Sequence, residues 1–332
     1  MSEKRPSGAR PAKPRVLVTR RLPEAVEDAM RGRFDVTLSE SDQPLADHEL
    51  VAAMRTNDAL LCTLTDRVGP ECFAAADRRG RIVANFGVGV NHIALAAARA
   101  AGVIVTNTPD VLTDDTADLT IALMLATLRR LGEGERELRR GDWTGWRPTH
   151  LLGRRLSGKT LGVVGLGRIG RAVARRAERG FGMTVLAWSR SRKRQSESGT
   201  TIERVSRLEQ LLERCDVVSV HCPLVATTRH LIGATQFKAM RRDAVLINTA
   251  RGEIVDEEAL VEALNSGEIA GAGLDVYSGE PNVHPGLLAR ENVVLLPHLG
   301  SATQESREAM GMRAIDNLDA FFAGKEPPDL VP

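Results

Sequence analysis

Aromatic side chains are scarce in this sequence, and neither sign of charge dominates it. Phe, Trp and Tyr account for 3% of the 332 residues, and the formal net charge at pH 7 is +2. Proteins that bind single-stranded nucleic acid stack bases on aromatic side chains. Proteins that bind polyanions or anionic membranes present a strongly positive surface. The composition therefore predicts neither a nucleic-acid partner nor a membrane partner.

Cysteine is also rare, and the cysteine residues lack the spacing of a redox or metal-binding motif. No C-x-x-C pair occurs, and no cysteine stands at metal-ligand spacing from a histidine. We expect all of them to be reduced and mostly buried, which is typical of a reducing compartment. They are Cys62, Cys72, Cys215 and Cys222. The sequence thus predicts no metal site.

Long hydrophobic runs are missing as well. No apolar segment approaches the length of about 20 residues that crosses a bilayer. The first 14 residues, MSEKRPSGARPAKP, are basic and contain proline, and they lack the apolar core of a secretory signal. We therefore expect a disordered basic tail over residues 1–14 and a cytoplasmic location.

The most informative stretch that is present covers residues 160–170, TLGVVGLGRIG. An apolar run leads into Gly165, Gly167 and Gly170 at G-x-G-x-x-G spacing, and a helical pattern follows to about Arg179. Strand, glycine turn and helix are together the context in which this motif binds a dinucleotide. The glycines permit a tight turn, close approach of a pyrophosphate, and packing of the helix on the strand. Because free N–H groups at a helix start attract anions, the stretch predicts a bound nucleotide.

Strands and helices alternate along both halves of the chain, which is typical of open parallel sheets. The first half has predicted strands at residues 16–19, 34–38, 59–64, 82–86 and 103–105. The second half has six predicted strands, at residues 160–165, 184–188, 217–220, 244–247, 271–275 and 293–296. Six is the number of strands in a dinucleotide-binding sheet. The pattern therefore predicts two α/β units.

Between these units the pattern predicts one long helix, from Asp114 or Asp115 to about Arg140. Its middle is unusually apolar, so we expect it to be buried between domains or subunits. The linker that follows holds Trp143 and Trp146. Two interpretations stay open for this linker. It is either a loop pinned by aromatic anchors or an arm that packs on a second subunit.

Three residues with useful chemistry follow successive predicted strands of the second unit. Arg251 comes after the fourth strand, Glu280 after the fifth and His298 after the sixth. Ligands of open α/β sheets bind beyond the carboxyl ends of the strands. Taken singly, Arg251 could cap a helix, Glu280 could be a solvated turn residue, and His298 could be a satisfied core residue. Together, at one rim with the glycine turn, they favour a catalytic site.

Six longer motifs support a family resemblance. They are residues 87–92 (GVGVNH), 107–113 (NTPDVLT), 158–170 (GKTLGVVGLGRIG), 248–252 (NTARG), 271–277 (GAGLDVY) and 297–303 (PHLGSAT). In these motifs the chain resembles the D-isomer-specific 2-hydroxyacid dehydrogenase family, and most closely its glyoxylate/hydroxypyruvate reductase branch. The resemblance extends over about residues 15–325.

The resemblance implies an α/β fold of two Rossmann-like or flavodoxin-like open parallel-sheet domains, with the cofactor domain inserted into the substrate domain. The substrate-binding domain would comprise residues 15–108 and 300–332. The dinucleotide-binding Rossmann domain would cover residues 109–299, including an interdomain and dimer helix at 115–140. The resemblance further implies a homodimer built on that helix and on the tryptophan linker. Trp146 would then reach the partner's substrate pocket.

The resemblance also implies an oxidoreductase that reduces a small 2-oxo acid, such as glyoxylate or hydroxypyruvate, to the D-2-hydroxy acid. Arg251, Glu280 and His298 would be its catalytic residues. The planar guanidinium of an arginine can bind carboxylate and carbonyl oxygens together. A histidine, whose ordinary pKa is about 6.5, can donate the proton, and a carboxylate beside it favours its charged form. Substrate contacts are expected at Leu64, Val88, Gly89, Arg251, His298 and Trp146.

Cofactor contacts are expected at the glycine turn and at the ends of the following strands. The residues are Gly165, Leu166, Gly167, Arg168, Ile169, Gly170, Ser189, Arg190, Ser191, Cys222, Pro223, Thr249, Ala250, Asp275 and Gly300. An NAD-binding fold of this type has an acidic residue at the end of its second strand, where it binds the ribose 2′-OH. This chain has Ser189 there, followed by Arg190. The alternative is a solvated basic loop, but the pattern favours NADP(H), with NAD(H) possible.

Other functions stay open within the resemblance. The chain could be a 2-ketogluconate reductase or a D-3-phosphoglycerate dehydrogenase-like enzyme, and a corepressor of the same fold would sense nucleotide without catalysis. The presence of the arginine, glutamate and histidine favours an enzyme. The Ser189–Arg190 pair is unlike an NAD site and weakens the phosphoglycerate alternative. Arg154 and Arg155 depart from the branch's usual glycine and aromatic, which puts the local packing or the dimer arm in question.

Overall fold

The computed structural model describes residues 12–190 and 199–332. The chain divides into two compact units, one comprising Met1–Val111 with Gln304–Pro332 and the other Leu112–Thr303. The boundaries expected at 108/109 and 299/300 lie within a few residues of this division. Most of the expected tail, residues 1–11, falls outside the described residues, and the first strand begins at Arg15.

The first unit contains a sheet of five parallel strands, which are β1 Arg15–Val18, β2 Asp35–Thr37, β3 Ala59–Thr63, β4 Ile82–Phe86 and β5 Ile104–Thr106. Their order across the sheet is β2-β1-β3-β4-β5, the flavodoxin-like doubly wound arrangement. The inner strands β3 and β4 are apolar and almost wholly buried, as parallel strands covered on both faces are. The helices of this unit are α1 Glu24–Arg33, α2 Asp47–Thr56, α3 Glu71–Ala74, α4 Leu95–Ala100 and α12 Gln304–Phe322.

The second unit contains seven parallel strands, which are β6 Thr160–Val164, β7 Thr184–Trp188, β8 Ile202–Arg204, β9 Val217–Val220, β10 Val245–Asn248, β11 Gly271–Leu274 and β12 Val293–Leu295. Their order is β12-β11-β10-β9-β6-β7-β8, which extends the Rossmann order. Its helices are α5 Thr113–Leu128, α6 Leu131–Arg140, α7 Arg168–Phe181, α8 Leu208–Leu212, α9 Ala234–Ala239, α10 Glu257–Ser266 and α11 Pro285–Leu288, with a 3₁₀ turn at Gly252–Ile254.

The sequence prediction of six strands in this unit was one short, because β8 is an edge strand of three residues. It carries the exposed charges of Glu203 and Arg204 and a single apolar residue, Ile202. Such a strand has no apolar alternation that would predict it. All the other predicted strands are present, with small shifts at their ends.

The prediction of one helix over residues 115–140 was wrong. The helix ends at Leu128, and α6 begins at Leu131 after Arg130, whose backbone is left-handed (φ 54°). The carbonyl of Leu128 accepts a hydrogen bond from the N–H of Arg154 at 2.8 Å, so it does not serve a continuing helix. The burial also changes at this point. Eight residues of α5 are buried, whereas no residue of α6 is.

The register of the second sheet aligns its strand ends in one row. Val164 pairs with Trp188 on one side and with Val220 on the other, and Asn248 pairs with Val220 and Leu274. The residues that follow these strands therefore share one edge of the sheet. They are Gly165, Ser189, His221, Thr249 and Asp275.

All four cysteines are buried free thiols, as expected. Within residues 12–190 and 199–332, no group of three or more His, Cys, Asp or Glu side chains is placed to hold a metal ion. No helix in that part of the chain is both long and apolar enough to cross a bilayer.

Candidate functional site

The glycine turn between β6 and α7 is shaped by three different requirements. Gly165 has φ +102°, and a Cβ built on it would lie 2.4 Å from the amide nitrogen of Cys222. A Cβ on Gly170 would lie 2.2 Å from the carbonyl oxygen of Gly165 and 3.1 Å from Val163 Cγ1. A Cβ on Gly167 would meet nothing within 4 Å. Packing within the chain thus explains the first and third glycines, and Gly167 leaves open space for an approaching ligand.

A cleft of about 650 Å³ opens in front of this turn. Eight of the expected cofactor residues line it: Gly165, Leu166, Gly167, Arg168, Ser189, Arg190, Cys222 and Pro223. The other lining residues were not predicted, and they are Arg171, Trp188, Arg204, His221 and Thr228. His221 directly follows the strand predicted at 217–220, a position that could have indicated it, whereas Arg204 lies on the strand that the apolar pattern did not predict. Ser191 lies outside the described residues.

The electrostatics of the cleft favour an anion. Arg168, Arg171, Arg190 and Arg204 all line it. Burial lowers the pKa of His221 to about 3, so this side chain is neutral, and its Nε2 lies 2.8 Å from Ser219 Oγ. Burial also keeps the Cys222 thiol neutral, because it raises the pKa of this group to about 11. The charged side chains that line the cleft are therefore arginines, and their positive charge suits a phosphate-rich ligand.

A histidine–carboxylate pair lies beyond β11 and β12. His298 Nδ1 lies 2.8 Å from Glu280 Oε2, and the two side chains are 23% and 28% exposed. Glu280 Oε1 accepts a hydrogen bond from the N–H of Tyr277 at 3.0 Å. Burial raises the pKa of Glu280, but the hydrogen bond and charge of His298, the N–H of Tyr277 and the charge of Arg251 together lower it by more. Since an ionised carboxylate only accepts hydrogen bonds, Nδ1 is the donor, and Nε2 is left to exchange a proton with a ligand.

The backbone that carries His298 is held by a buried carboxylate. His298 has φ 57°, a left-handed conformation that a non-glycine residue rarely adopts. Asp275, 1% exposed, accepts hydrogen bonds from the next two amides, Leu299 at 2.7 Å and Gly300 at 2.8 Å. Thr116 Oγ1 donates to the carbonyl of Gly300 at 2.9 Å. The sequence pattern did not predict these positioning roles of Asp275 and Thr116. The cofactor contact of Asp275 stays a prediction.

Arg251 follows β10 on a turn that its own neighbours stabilise. Asn248 Nδ2 donates to the carbonyl of Arg251 at 2.9 Å, and Asn248 Oδ1 accepts from the N–H of Ala250 at 3.0 Å. Burial lowers the pKa of Arg251, and the charge of Glu280 opposes this shift. A guanidinium remains protonated in proteins. The charge of Glu280 thus acts on Arg251, and Glu280 in turn bonds to His298.

The close approach of two chain segments explains this grouping. A Cβ on Gly252 would lie 1.9 Å from the carbonyl carbon of Tyr277, so only glycine fits there. This contact sets the turn after β10 against the segment that carries Glu280.

Of the other expected cofactor residues, Thr249 hydrogen-bonds through its Oγ1 to Thr120 Oγ1 at 2.9 Å. The catalytic and cofactor roles of these residues stay predictions.

The remaining expected substrate residues lie elsewhere in the chain. Leu64 follows β3, and Val88 with Gly89 follows β4, all in the first unit. Trp146 belongs to the second unit, and it is 82% exposed. The part that these residues play in substrate binding stays a prediction.

Comparisons with known proteins agree with this geometry. The family model for the D-isomer specific 2-hydroxyacid dehydrogenase NAD binding domain matches residues 121–300. The chain is 45% identical over 323 residues to the glyoxylate reductase of Thermococcus onnurineus, covering 96% of both chains. It is 47% identical over 325 residues to that of Aeropyrum pernix, again covering 96% of both.

Solved structures are similar as well. One is the NADPH-dependent glyoxylate/hydroxypyruvate reductase of Sinorhizobium meliloti, in complex with NADP and malonate. It superposes with a TM-score of 0.85 at 39% identity, covering 96% of this chain and 97% of that one. The similarity therefore extends over both units.

The histidine–carboxylate pair predicts a loss of activity and a changed pH profile for Glu280→Gln. The pKa of Glu280 is held below its ordinary value, so the wild type has a carboxylate charge beside the imidazole that the amide cannot supply. We therefore expect kcat/KM for 2-oxo acid reduction to fall about tenfold. The measurement is the pH dependence of kcat/KM for both enzymes. The matched control is Glu258→Gln, because Glu258 bonds to a different histidine, His284, at 2.9 Å. An unchanged pH profile and an unchanged rate in Glu280→Gln would contradict the assignment.

The glycine turn predicts opposite outcomes for two alanine variants. Gly167→Ala adds a methyl group in open space, so the melting temperature should hold while the Kd for dinucleotide rises about tenfold or more. Gly170→Ala forces the new methyl group against the carbonyl of Gly165, so the free energy of unfolding should fall by about 1–3 kcal/mol. Calorimetric titration and thermal unfolding measure the two effects. Equal dinucleotide affinity in Gly167→Ala and the wild type would count against a phosphate at this turn.

Proposed function

Since the chain belongs to the D-isomer specific 2-hydroxyacid dehydrogenase family, we propose that it reduces glyoxylate or hydroxypyruvate to the D-2-hydroxy acid. The chain is an oxidoreductase acting on CH–OH donors, as its family is. The single observation that carries the proposal is the grouping of Arg251, Glu280 and His298 at neighbouring strand ends. Relatives named glyoxylate reductase, alike over 96% of the chain, support the choice of substrate.

Each residue of this group has one task in the proposed reaction. Arg251 binds the carboxylate and the carbonyl oxygen of the 2-oxo acid, which polarises the carbonyl carbon. A bound nicotinamide dinucleotide supplies the hydride that this carbon accepts. His298 donates the proton from Nε2 to the oxygen as it gains negative charge. Glu280 stabilises the imidazolium before that transfer and fixes its orientation through Nδ1.

The residues around the cleft fit a dinucleotide, and we propose NADP(H) as the preferred one. Gly167 leaves room for a pyrophosphate, and α7, whose first N–H groups have no partner within the helix, begins at the next residue. Ser189 removes the carboxylate that would repel a 2′-phosphate, and Arg190 and Arg204 line the cleft beside it. The relative from Sinorhizobium meliloti is named as NADPH-dependent. Use of NAD(H) remains compatible with this site.

Two further proposals concern assembly and location. The exposed apolar side chains of α6 and the linker support a homodimer. They include Leu131, Leu138, Trp146 and Leu152, exposed by 54%, 63%, 82% and 66%. Isolated chains rarely expose so many large apolar groups on one segment, and a second copy of the chain would cover them. The buried free thiols support a cytoplasmic location, where cysteines stay reduced.

A substrate and cofactor panel tests the proposed reaction. We expect turnover of glyoxylate and hydroxypyruvate with a higher kcat/KM for NADPH than for NADH. The His298→Ala variant should lose about 10²- to 10⁴-fold in kcat. Ser189→Asp should move the preference toward NADH, because its carboxylate repels a 2′-phosphate.

The panel also separates the alternatives. Faster turnover of 2-ketogluconate or 3-phosphohydroxypyruvate would replace the proposed substrate, and turnover of no 2-oxo acid would favour a nucleotide sensor. A tenfold preference for NADH would overturn the cofactor assignment alone.

Light scattering at micromolar concentration tests the dimer. We expect twice the chain mass of 36.0 kDa for the wild type, and a monomer for Leu138→Glu, because a buried carboxylate would destabilise the interface. Val225→Glu, on a 41% exposed loop residue outside this segment, is the control and should stay dimeric. A monomeric wild type would contradict the proposal.

A further inference from the structure

The turn at residues 87–90, after β4 of the first unit, has its carbonyl groups tied to side chains. Asn85 Nδ2 donates to the carbonyl of Gly87 at 2.9 Å and to that of Gly89 at 3.0 Å. Asn107 Nδ2 donates to the carbonyl of Val88 at 2.9 Å. Two asparagine side chains thus donate hydrogen bonds to three consecutive backbone carbonyl groups of one short turn.

The amide of Asn85 is itself oriented by its neighbours. The residue is 1% exposed, and its Oδ1 lies 3.1 Å from His92 Nε2 and 3.9 Å from Cys62 Sγ. Both neighbours can donate hydrogen bonds, so the oxygen faces them and the NH₂ group faces the turn. The orientation of this amide is therefore determined by buried contacts.

Binding of the carbonyls dictates where the amides of the turn point. A peptide unit is planar and trans, so the C=O of one residue and the N–H of the next point in opposite directions. When the carbonyls of Gly87 and Val88 face the asparagines, the N–H groups of Val88 and Gly89 face away. Within the described part of the chain, these two N–H groups have no hydrogen-bond acceptor. The turn is only half-buried, so a ligand can reach them.

The charge next to the turn also favours an anion. Arg307 Cζ lies 5.9 Å from the ring centroid of Phe86, the residue directly before the turn. This guanidinium is half-buried, and among the described residues it forms no ion pair. Burial lowers its pKa, yet an arginine keeps its charge. Consecutive amides beside a positive charge are typical of a site for a carboxylate or phosphate.

We propose that Asn85 and Asn107 are positioning residues that aim the N–H groups of Val88 and Gly89 at the carboxylate of the substrate. This inference rests on the proposed function, since it takes a 2-oxo acid as the ligand. The asparagines touch neither the hydride donor nor the proton donor in this scheme. Their loss weakens substrate binding and leaves nucleotide binding intact, because two donors that have lost their fixed direction bind a carboxylate less well.

The test compares the alanine variants Asn85→Ala and Asn107→Ala with the wild type. The readouts are KM and kcat for glyoxylate, the inhibition constant of oxalate, and the Kd for NADPH. We expect KM and the oxalate constant to rise together by about tenfold, with kcat and the NADPH Kd changed less than twofold. Asn57→Ala is the matched control, because Asn57 Nδ2 donates to a backbone carbonyl (Ala53, 3.1 Å) at the end of α2. It should leave all four constants unchanged.

Unchanged KM and oxalate constants in folded variants would overturn the inference. A loss of NADPH affinity as large as the loss of oxalate affinity would also overturn it, because it indicates a general disruption of the structure. If the buried Asn85→Ala variant fails to fold, the half-buried Asn107→Ala decides. If the wild type reduces no 2-oxo acid, the proposed function fails, and calorimetric titration of oxalate then decides the inference. Weaker oxalate binding in the variants would support it, and equal binding, or no oxalate binding by the wild type, would overturn it.

Discussion

The hydrogen bonds that the buried carboxylate of Asp275 accepts are the contacts on which the candidate site depends most. They hold the two amides after His298, and so they stabilise the left-handed backbone that turns the imidazole toward Glu280. A left-handed non-glycine residue costs about 1–3 kcal/mol, so it persists only where its surroundings enforce it. The enforcing group lies directly after β11, at an end that the register of the sheet determines. The pairing of the strands therefore determines the position of Asp275, and Asp275 in turn determines the backbone conformation that orients the His298 imidazole.

Much of the fold could be predicted because its signals are local. The apolar runs of β6, β9 and β10 are nearly continuous, as in parallel strands buried on both faces, and the glycine turn occupies its usual place after the first of them. The alignment of Arg251, Glu280 and His298 at strand ends follows from the same pattern.

The features that escaped prediction depend on contacts between residues far apart in sequence. The break before α6 arises because the N–H of Arg154 binds the Leu128 carbonyl, a bond that no helical periodicity reveals. Edge strand β8 is held by its pairing with β7 rather than by apolar residues of its own. The buried amide of Asn85 resembles any polar residue in a strand until its partners are seen. Tertiary hydrogen bonds thus set the limit of what the pattern could show.

The bond between Arg154 and Leu128 also determines how the segment from 129 to 153 is attached. Both ends of this segment of the second unit meet at the carboxyl end of α5, and between them Arg136 forms an ion pair with Glu291. The entropic cost of closing a loop grows only slowly with its length. A change in the length of this segment therefore costs little entropy and leaves the sheet, the glycine turn and the histidine in place. The attachment separates the fold of the second unit from the segment on which the proposed dimer depends.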